Sequence, residues 1–171
     1  YNTTNARVNL DGWRLRSYRY NGTDFVLNLD IDLTDHYIDP RTSIEPKNTS
    51  GYFLLEAGND NTVSDIISDN SPGEGMIYQG SLYNSGEILL LCSTLSHCNI
   101  NTKNQTVDYV NGSLTTTGNI KPWPAGSSST YGSMERKNLI SDEPTNYFTH
   151  TGANPKWGLD ASGKAINGTP K

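Results

Sequence analysis

The fold is decided by the stretch Phe25-Val26-Leu27-Asn28-Leu29-Asp30-Ile31-Asp32-Leu33. Its odd-numbered residues are all apolar, whereas Asn28, Asp30 and Asp32 occupy even-numbered positions between them. Alternation with a period of two is typical of a β-strand that buries one face. The pattern therefore predicts one long strand with its five odd-numbered residues on the buried face.

An Asn21-Gly22 pair precedes this strand and marks a hairpin turn after an earlier segment around Leu15. A two-residue turn would place charged residues opposite apolar ones, because a one-residue slip moves every side chain to the other face. A three-residue loop with Gly22 in the left-handed region keeps the apolar residues together. This loop gives the pairs Trp13–Leu29 and Leu15–Leu27.

Two further hairpins are predicted from Asn-Gly turn signals. One turns at Asn84-Ser85-Gly86, between residues 76–83 and 87–93; the other turns at Asn111-Gly112, between residues 106–110 and 113–117. The run Ile88-Leu89-Leu90-Leu91-Cys92 is apolar without alternation, which indicates a central strand covered on both faces. Shorter strands are expected over residues 6–10 and 51–55.

Many short strands separated by turn signals predict an all-β fold, a β-sandwich or barrel of short antiparallel strands. We assign residues 1–118 to this core. Residues 119–171 form a long irregular C-terminal segment rich in Gly, Pro, Ser and Asn, which nevertheless contains several aromatic residues. Because so long a segment is unusual in a compact domain, we expect it to wrap the core or contact neighbouring subunits.

The composition excludes several classes of protein. The 171 residues include 13 Lys+Arg and 18 Asp+Glu, so the formal net charge is -5; 19 Asn, 17 Ser and 18 Thr make the chain rich in uncharged polar residues. No Lys/Arg cluster indicates nucleic-acid binding, and no run approaches the roughly 18 apolar residues of a transmembrane helix. With 3 Trp, 10 Tyr and 3 Phe, disorder is also disfavoured. A single soluble domain remains.

The two cysteines, Cys92 and Cys98, are separated by five residues. This spacing matches neither a four-ligand zinc site nor a C-x-x-C redox motif. It predicts a short disulfide that closes a loop after a strand, with two buried free thiols as the alternative. A disulfide favours an oxidising compartment, and hence an extracellular or cell-surface location.

Six N-x-[ST] sequons support secretion and predict N-linked glycans. Their number only slightly exceeds what the Asn, Ser and Thr content produces by chance, so position carries more weight than number. Two sequons fall on predicted hairpin tips, where a transferase has access. The predicted acceptor residues are Asn2, Asn21, Asn48, Asn104, Asn111 and Asn167.

Catalytic motifs are absent from the sequence: it has no G-x-S-x-G, no H-E-x-x-H and no phosphate-binding glycine loop. The histidines His36, His97 and His150 lie far apart in unrelated contexts. We therefore predict a protein that is not an enzyme, with no cofactor and no metal.

Two acidic patches contain the oxygen ligands that calcium prefers, although neither follows the spacing of an EF-hand. The first comprises Asp30, Asp32, Asp35 and Asp39; the second comprises Asn59, Asp60, Asn61, Asp65, Asp69 and Glu74. The alternative for the first patch is an exposed strand face whose charge is offset by Arg14 from a diagonal position across the hairpin. The alternative for the second is a solvated turn, and we prefer both alternatives to calcium sites.

Three stretches, Leu10-Asp11-Gly12-x-x-Leu15, Leu29-Asp30-Ile31-Asp32-Leu33 and Gly51-Tyr52-Phe53, are together similar to one repeat of the cyanovirin-N-like lectins. A second, poorer match runs from Leu82 through Leu90-Leu91-Cys92 to Asn111-Gly112-Ser113-Leu114. The insertion at residues 59–73, the single cysteine pair and the long C-terminal segment depart from the pattern. The resemblance implies a carbohydrate-binding β-module and assigns no sugar-binding residue.

A different interpretation starts from Ala6, Val8 and Leu10, which form a short alternating strand after a polar start. Such a strand can add to the open sheet of another subunit, and head-to-tail repetition of this contact builds a filament. The alternative is that it pairs within its own domain. We therefore predict a non-enzymatic extracellular glycoprotein that forms a homopolymeric filament or layer, with a secreted lectin-like module as the alternative.

Overall fold

The computed structural model describes residues 2–40, 51, 53–58, 75–110, 120–127, 129–130, 132–138 and 144–150. The described part contains ten short strands and three 3₁₀ segments, at Leu95–His97, Ile100–Gln105 and Pro144–Asn146. The strands are β1 Val8–Asn9, β2 Arg14–Tyr20, β3 Phe25–Asp32, β4 Tyr37–Ile38, β5 Leu54–Ala57, β6 Gly75–Tyr78, β7 Ile88–Cys92, β8 Asp108–Val110, β9 Met134–Arg136 and β10 Tyr147–Thr149. None of the described helices is long and apolar enough to cross a membrane.

The strands form several small sheets, which confirms the prediction of a β-rich fold. The largest sheet has four antiparallel strands in the order β3-β2-β7-β8. Two antiparallel pairs, β1–β4 and β9–β10, form separate two-stranded sheets. The remaining pair, β5–β6, is parallel, whereas the sequence predicted antiparallel strands throughout.

The β2–β3 hairpin forms as predicted, but its register differs. Leu15 lies opposite Ile31, and the connection is a four-residue loop between the paired residues Tyr20 and Phe25. Gly22 has a φ of 102°, so the predicted left-handed glycine is confirmed within this longer loop. The three-residue loop and its pairs were therefore wrong, although the offset is even, so Leu15 still shares a face with Leu29 and Ile31.

A β-bulge interrupts the alternation of β3. Ser17 pairs with Leu29 and Tyr18 pairs with Leu27, so Asn28 has no opposite partner in β2. An extra residue in one strand reverses the faces of the residues beyond it. Leu29 is therefore buried on one face, whereas Leu27 is on the other face and 46% exposed. The prediction of a single five-residue buried face was wrong for this reason.

Two apolar clusters lie on the two faces of the four-stranded sheet. The first contains Tyr18, Ile88, Leu90, Cys92 and Cys98, with Phe25 packed against it. The second contains Leu10, Ile31 and Leu33, with Leu15 and Leu91 among its partly buried neighbours. Because β7 supplies residues to both clusters and lies between β2 and β8, its prediction as a central strand covered on both faces is confirmed.

The turn at Asn84-Ser85-Gly86 forms, but it does not join a hairpin. Gly86 has a φ of 107°, and its amide donates to the carbonyl of Tyr83 over 3.1 Å. The strands on either side have different partners, since β6 pairs with β5 and β7 pairs with β2 and β8. The predicted pairing across this turn was therefore wrong, and the predicted hairpin at Asn111-Gly112 lies outside the described residues.

The predicted assembly strand is used within its own chain. Val8 pairs with Ile38, Leu10 is buried in the second cluster, and Ala6 is exposed just before the strand. The Leu10 amide also donates to the carbonyl of His36 over 3.0 Å. Val8, Asn9 and the Leu10 amide therefore have partners within the chain, and a role of this strand in assembly stays a prediction.

Candidate functional site

The predicted disulfide is confirmed between Cys92 and Cys98, whose Cα atoms are 5.4 Å apart. Two side chains of β2 hold the closed loop against the sheet. Arg16 Nη1 donates to the carbonyl of Cys98 over 3.0 Å, and the Tyr18 hydroxyl donates to the same oxygen over 2.9 Å. We use the name disulfide cluster for five residues: Cys92, Cys98, Arg16, Tyr18 and Asp30.

The first acidic patch is neutralised by arginines rather than gathered around an empty centre. Asp30 receives bonds from Arg16 Nη2 at 2.7 Å and from Arg14 Nη1 at 3.0 Å, and Arg14 also contacts Asp32 at 2.7 Å. The hydrogen bond from Arg16, followed by that from Arg14, lowers the pKa of Asp30 against the opposing effect of burial. Arg14 therefore offsets this charge, as the exposed-face interpretation predicts.

The other two acidic residues of that patch, Asp35 and Asp39, make different contacts, and the one given for Asp35 involves its backbone amide. Asp39 pairs with Arg7 Nε at 2.9 Å, and the Asp35 amide donates to the carboxylate of Asp11. Within the described ranges, no three His, Cys, Asp or Glu side chains are grouped so that they hold a metal ion. The second patch, residues 59–74, lies outside those ranges.

The structure separates two of the predicted glycan acceptors. Asn2 is 3% exposed, whereas Asn21 lies on the exposed β2–β3 turn. Asn104 lies in the 3₁₀ segment Ile100–Gln105. The remaining predicted acceptors, Asn48, Asn111 and Asn167, fall outside the described residues.

The three histidines have different surroundings. The His36 ring packs edge-on against Phe53 at 5.2 Å, and His97 ends the 3₁₀ segment Leu95–His97. His150 Nδ1 lies 3.2 Å from Glu135 Oε1 beside the β9–β10 pair. The three histidines therefore lie in different parts of the described structure.

The exposed group with the most elaborate support is the side chain of Tyr83, in the connection between β6 and β7. The backbone amide of Tyr83 donates to Glu87 Oε1 over 3.2 Å, and Glu87 is fully buried. The same carboxylate oxygen accepts the Asn28 side-chain amide at 2.8 Å, and Asn28 also donates to the carbonyl of Ser81 at 2.9 Å. The β3 bulge thus fixes the backbone on which Tyr83 stands.

Two further side chains complete what we call the aromatic site, Arg19, Tyr83 and Trp123. Arg19 Nη1 donates to the Tyr83 hydroxyl over 3.0 Å, and its guanidinium carbon lies 5.1 Å from the centre of the ring. The Trp123 indole N–H donates to the Tyr83 carbonyl over 2.8 Å. Tyr83 itself remains 44% exposed, next to Leu82, which is 40% exposed.

The aromatic site combines an exposed ring, a cation and a fixed backbone. An aromatic ring presents an apolar face together with a polar edge, and an arginine beside it adds several hydrogen-bond donors. Such a surface suits a ligand that has both C–H faces and hydroxyl groups.

Sequence reasoning missed Arg19 and Tyr83, and it treated Trp123 only as an aromatic residue of the C-terminal segment. The three residues are separated by 64 and 40 positions, so no local motif contains them. The single usable signal was the turn at Asn84-Ser85-Gly86, which places the residue before it at the surface.

The chain matches no protein-family model, no curated protein sequence and no solved structure. The geometry of the described residues is therefore the basis for a functional proposal.

Proposed function

We propose that the protein is a non-enzymatic extracellular module that binds carbohydrate through the aromatic site. The observation that carries the proposal is the exposed Tyr83 ring, held by Arg19 at its hydroxyl and by Trp123 at its backbone. A sugar ring packs its C–H groups on the face of Tyr83, while Arg19 donates to the sugar hydroxyls. The resemblance of the sequence to cyanovirin-N-like lectins points in the same direction.

Preorganisation supports a binding role for this ring. A side chain that is already fixed loses less conformational entropy when a ligand binds, and this improves affinity. The Tyr83 backbone has hydrogen bonds at both its N–H and its carbonyl, and the ring hydroxyl has one more. We also infer that the four-stranded sheet is one layer of a β-sandwich, which would present the site on a rigid support.

The test is a saccharide array followed by titration calorimetry on protein made without glycans in a bacterial host. We expect binding to at least one saccharide class, a loss of at least tenfold in affinity for Tyr83→Ala, and a smaller loss for Arg19→Ala. Tyr83→Phe keeps the ring and removes the hydroxyl, so it should retain most of the affinity.

Leu82→Ala is the matched control, because Leu82 is the adjacent exposed residue and has no aromatic ring. Thermal unfolding of each variant shows whether the protein is folded, and we expect changes within about 0.5 kcal/mol for these exposed positions. An array without hits, or equal affinities for the wild type and Tyr83→Ala, would refute the proposal.

A second candidate, a structural subunit of a filament or layer, is favoured by the outer edge of β3. This eight-residue strand ends the four-stranded sheet, and no described strand pairs with its outer side. Arg14 and Arg16 pair with the acidic end of β3, whereas Leu27 near the other end is exposed. An open, apolar strand edge is a template for an extended segment of a second copy.

Light scattering over a range of protein concentrations, with negative-stain microscopy, tests this candidate. Assembly predicts concentration-dependent particles that Leu27→Lys abolishes, since charge on an edge strand opposes strand addition. Val26→Lys places the same charge on the opposite face of β3. Loss of assembly in both variants would indicate strand addition at the edge, whereas loss in Leu27→Lys alone would indicate a contact of the Leu27 side chain. A constant monomeric mass at all concentrations would exclude self-assembly.

A further inference from the structure

The loop between β2 and β3 carries the sequon Asn21-Gly22-Thr23, and all three residues are exposed. The Asn21 side-chain oxygen Oδ1 accepts the amide N–H groups of Thr23 at 2.9 Å and of Asp24 at 2.8 Å. The Asn21 amide donates to the Asp24 carbonyl over 3.1 Å. The turn therefore uses the oxygen of this side chain, and no described residue accepts a bond from its Nδ2.

The separate roles of Oδ1 and Nδ2 matter because N-glycosylation changes only the nitrogen of the asparagine side chain. One N–H is replaced by a bond to the sugar, whereas the carbonyl oxygen remains an acceptor. The turn can therefore keep both of its Oδ1 hydrogen bonds when Nδ2 carries a glycan. The Tyr20 and Phe25 rings, 5.4 Å apart at the base of the loop, hold the turn in place.

Asn2 uses its side chain in the opposite way. Its Nδ2 donates to the carbonyls of Ala6 at 2.8 Å, Ile38 at 3.1 Å and Asp39 at 3.2 Å. Its Oδ1 accepts the amide and the hydroxyl of Thr4. A sugar on this buried nitrogen would displace packed backbone and remove a hydrogen-bond donor from these carbonyls. Buried carbonyls without a donor would destabilise the folded protein.

We propose that Asn21 carries an N-linked oligosaccharide and that Asn2 carries none in the folded protein. The donor is a polyprenyl-pyrophosphate-linked oligosaccharide of the secretory pathway. The bond between sugar C1 and the pyrophosphate oxygen breaks, and the polyprenyl pyrophosphate leaves with the bonding electron pair. A bond between C1 and Asn21 Nδ2 forms, and the proton lost by the amide passes to solvent. The proposal rests on the extracellular location within the proposed function and requires no saccharide binding by the protein.

The chain lends itself to a direct test, because trypsin separates the two sequons. Cleavage after Arg7 gives residues 1–7 with Asn2 as their only sequon, and cleavage after Arg19 and Arg41 gives residues 20–41 with Asn21 as theirs. The full chain is secreted from a eukaryotic host and treated with peptide N-glycosidase in ¹⁸O-labelled water. We expect ¹⁸O-labelled aspartate at position 21 only when the glycosidase is present, since spontaneous deamidation of Asn21-Gly22 also labels samples without it, and unmodified asparagine at position 2.

Variants at Thr23 provide the matched pair. Thr23→Ser keeps the sequon and should keep the glycan, whereas Thr23→Ala removes the sequon and should remove the glycan from residues 20–41 alone. A secreted, folded protein with unmodified Asn21, or with a glycan on Asn2, would overturn the proposal. Saccharide binding is measured separately on unglycosylated protein, so failure of one proposal leaves the other open to its own test.

Discussion

The disulfide cluster and the aromatic site lie on opposite faces of the same hairpin and use polar side chains differently. Tyr18 and Arg16 both donate to the carbonyl of Cys98, so their polar groups are directed at the protein itself. Arg19, the next residue along β2, points to the other face and donates to the hydroxyl of the exposed Tyr83. On one face these donors bond to the protein itself; the other face, which also contributes to the second apolar cluster, leaves the Tyr83 ring exposed.

This difference separates the residues that hold the fold from those that face solvent. In the disulfide cluster, Tyr18 and both cysteines are buried, and the donors Tyr18 and Arg16 bond to the carbonyl of Cys98, so a substitution should affect folding first. In the aromatic site, the supporting bonds reach the backbone and hydroxyl of Tyr83, while its ring face stays open. Substitutions there should affect binding before stability.

The largest expected effect separates two leucines, one from each region. Leu90 is fully buried beside the disulfide, and Leu82 is largely exposed beside Tyr83. Leu90→Ala leaves a cavity and should lower the free energy of unfolding by about 2–5 kcal/mol. Leu82→Ala should change it by less than about 0.5 kcal/mol. Urea unfolding measures both, and similar losses would mean that the two regions do not differ in this way.

The next effect concerns the disulfide itself. A cross-link between residues six positions apart closes a short loop, so Cys92→Ala/Cys98→Ala should cost about 2 kcal/mol from the loop entropy. Thermal unfolding measures this loss. Saccharide affinity at the aromatic site should stay unchanged below the melting temperature, because Arg19 lies on the opposite face of β2 from Tyr18 and Arg16, which hold the disulfide loop. A loss of binding in a variant that is still folded would show that the two faces are coupled.

The smallest effect is electrostatic and depends on pH. Because Arg16 and Arg14 lower the pKa of Asp30 in the folded chain, the ion pairs stabilise the protein above the ordinary carboxyl pKa of about 4. This contribution is lost as the pH falls through the lower, folded-state value. Asp30→Asn should therefore cost up to about 1 kcal/mol at pH 7 and progressively less towards pH 2.

Asp24→Asn is the control for this series, since it removes the same charge from an exposed turn residue. Denaturant unfolding between pH 2 and pH 7, at low and high salt, measures both variants. Equal pH dependence in the two would show that the pairing of Asp30 with the arginines adds no stability.

The sequence predicted the features of the fold that depend on local pattern. The uniform apolar run of β7, the turn at Gly86 and the pairing of Cys92 with Cys98 are confirmed because each is encoded in consecutive residues. The bulge at Asn28 was not predictable in this way. A polar residue at position 28 fits the alternation with or without a bulge. The bulge is visible only in the pairing with β2, where Ser17 lies opposite Leu29 and Tyr18 lies opposite Leu27.

Strand partners were the weakest part of the prediction. Proximity along the chain suggested that β6 pairs with β7, but β6 pairs in parallel with β5 instead. Such pairing is determined by packing against Leu10, Ile31 and Leu33, which contact side chains from several segments. The aromatic site was hidden for the same reason, since Arg19, Tyr83 and Trp123 meet only after the chain has folded.

The bulge at Asn28 makes the hairpin sensitive to the number of its residues more than to their identity. Without this residue, Phe25 and Leu27 would change places with Val26 across the sheet, and each apolar cluster would receive side chains meant for the other. The loop of residues 21–24 can accept an added residue, because it lies beyond the paired strands. A deletion within β2 or β3 should be far more damaging than most substitutions at the same positions.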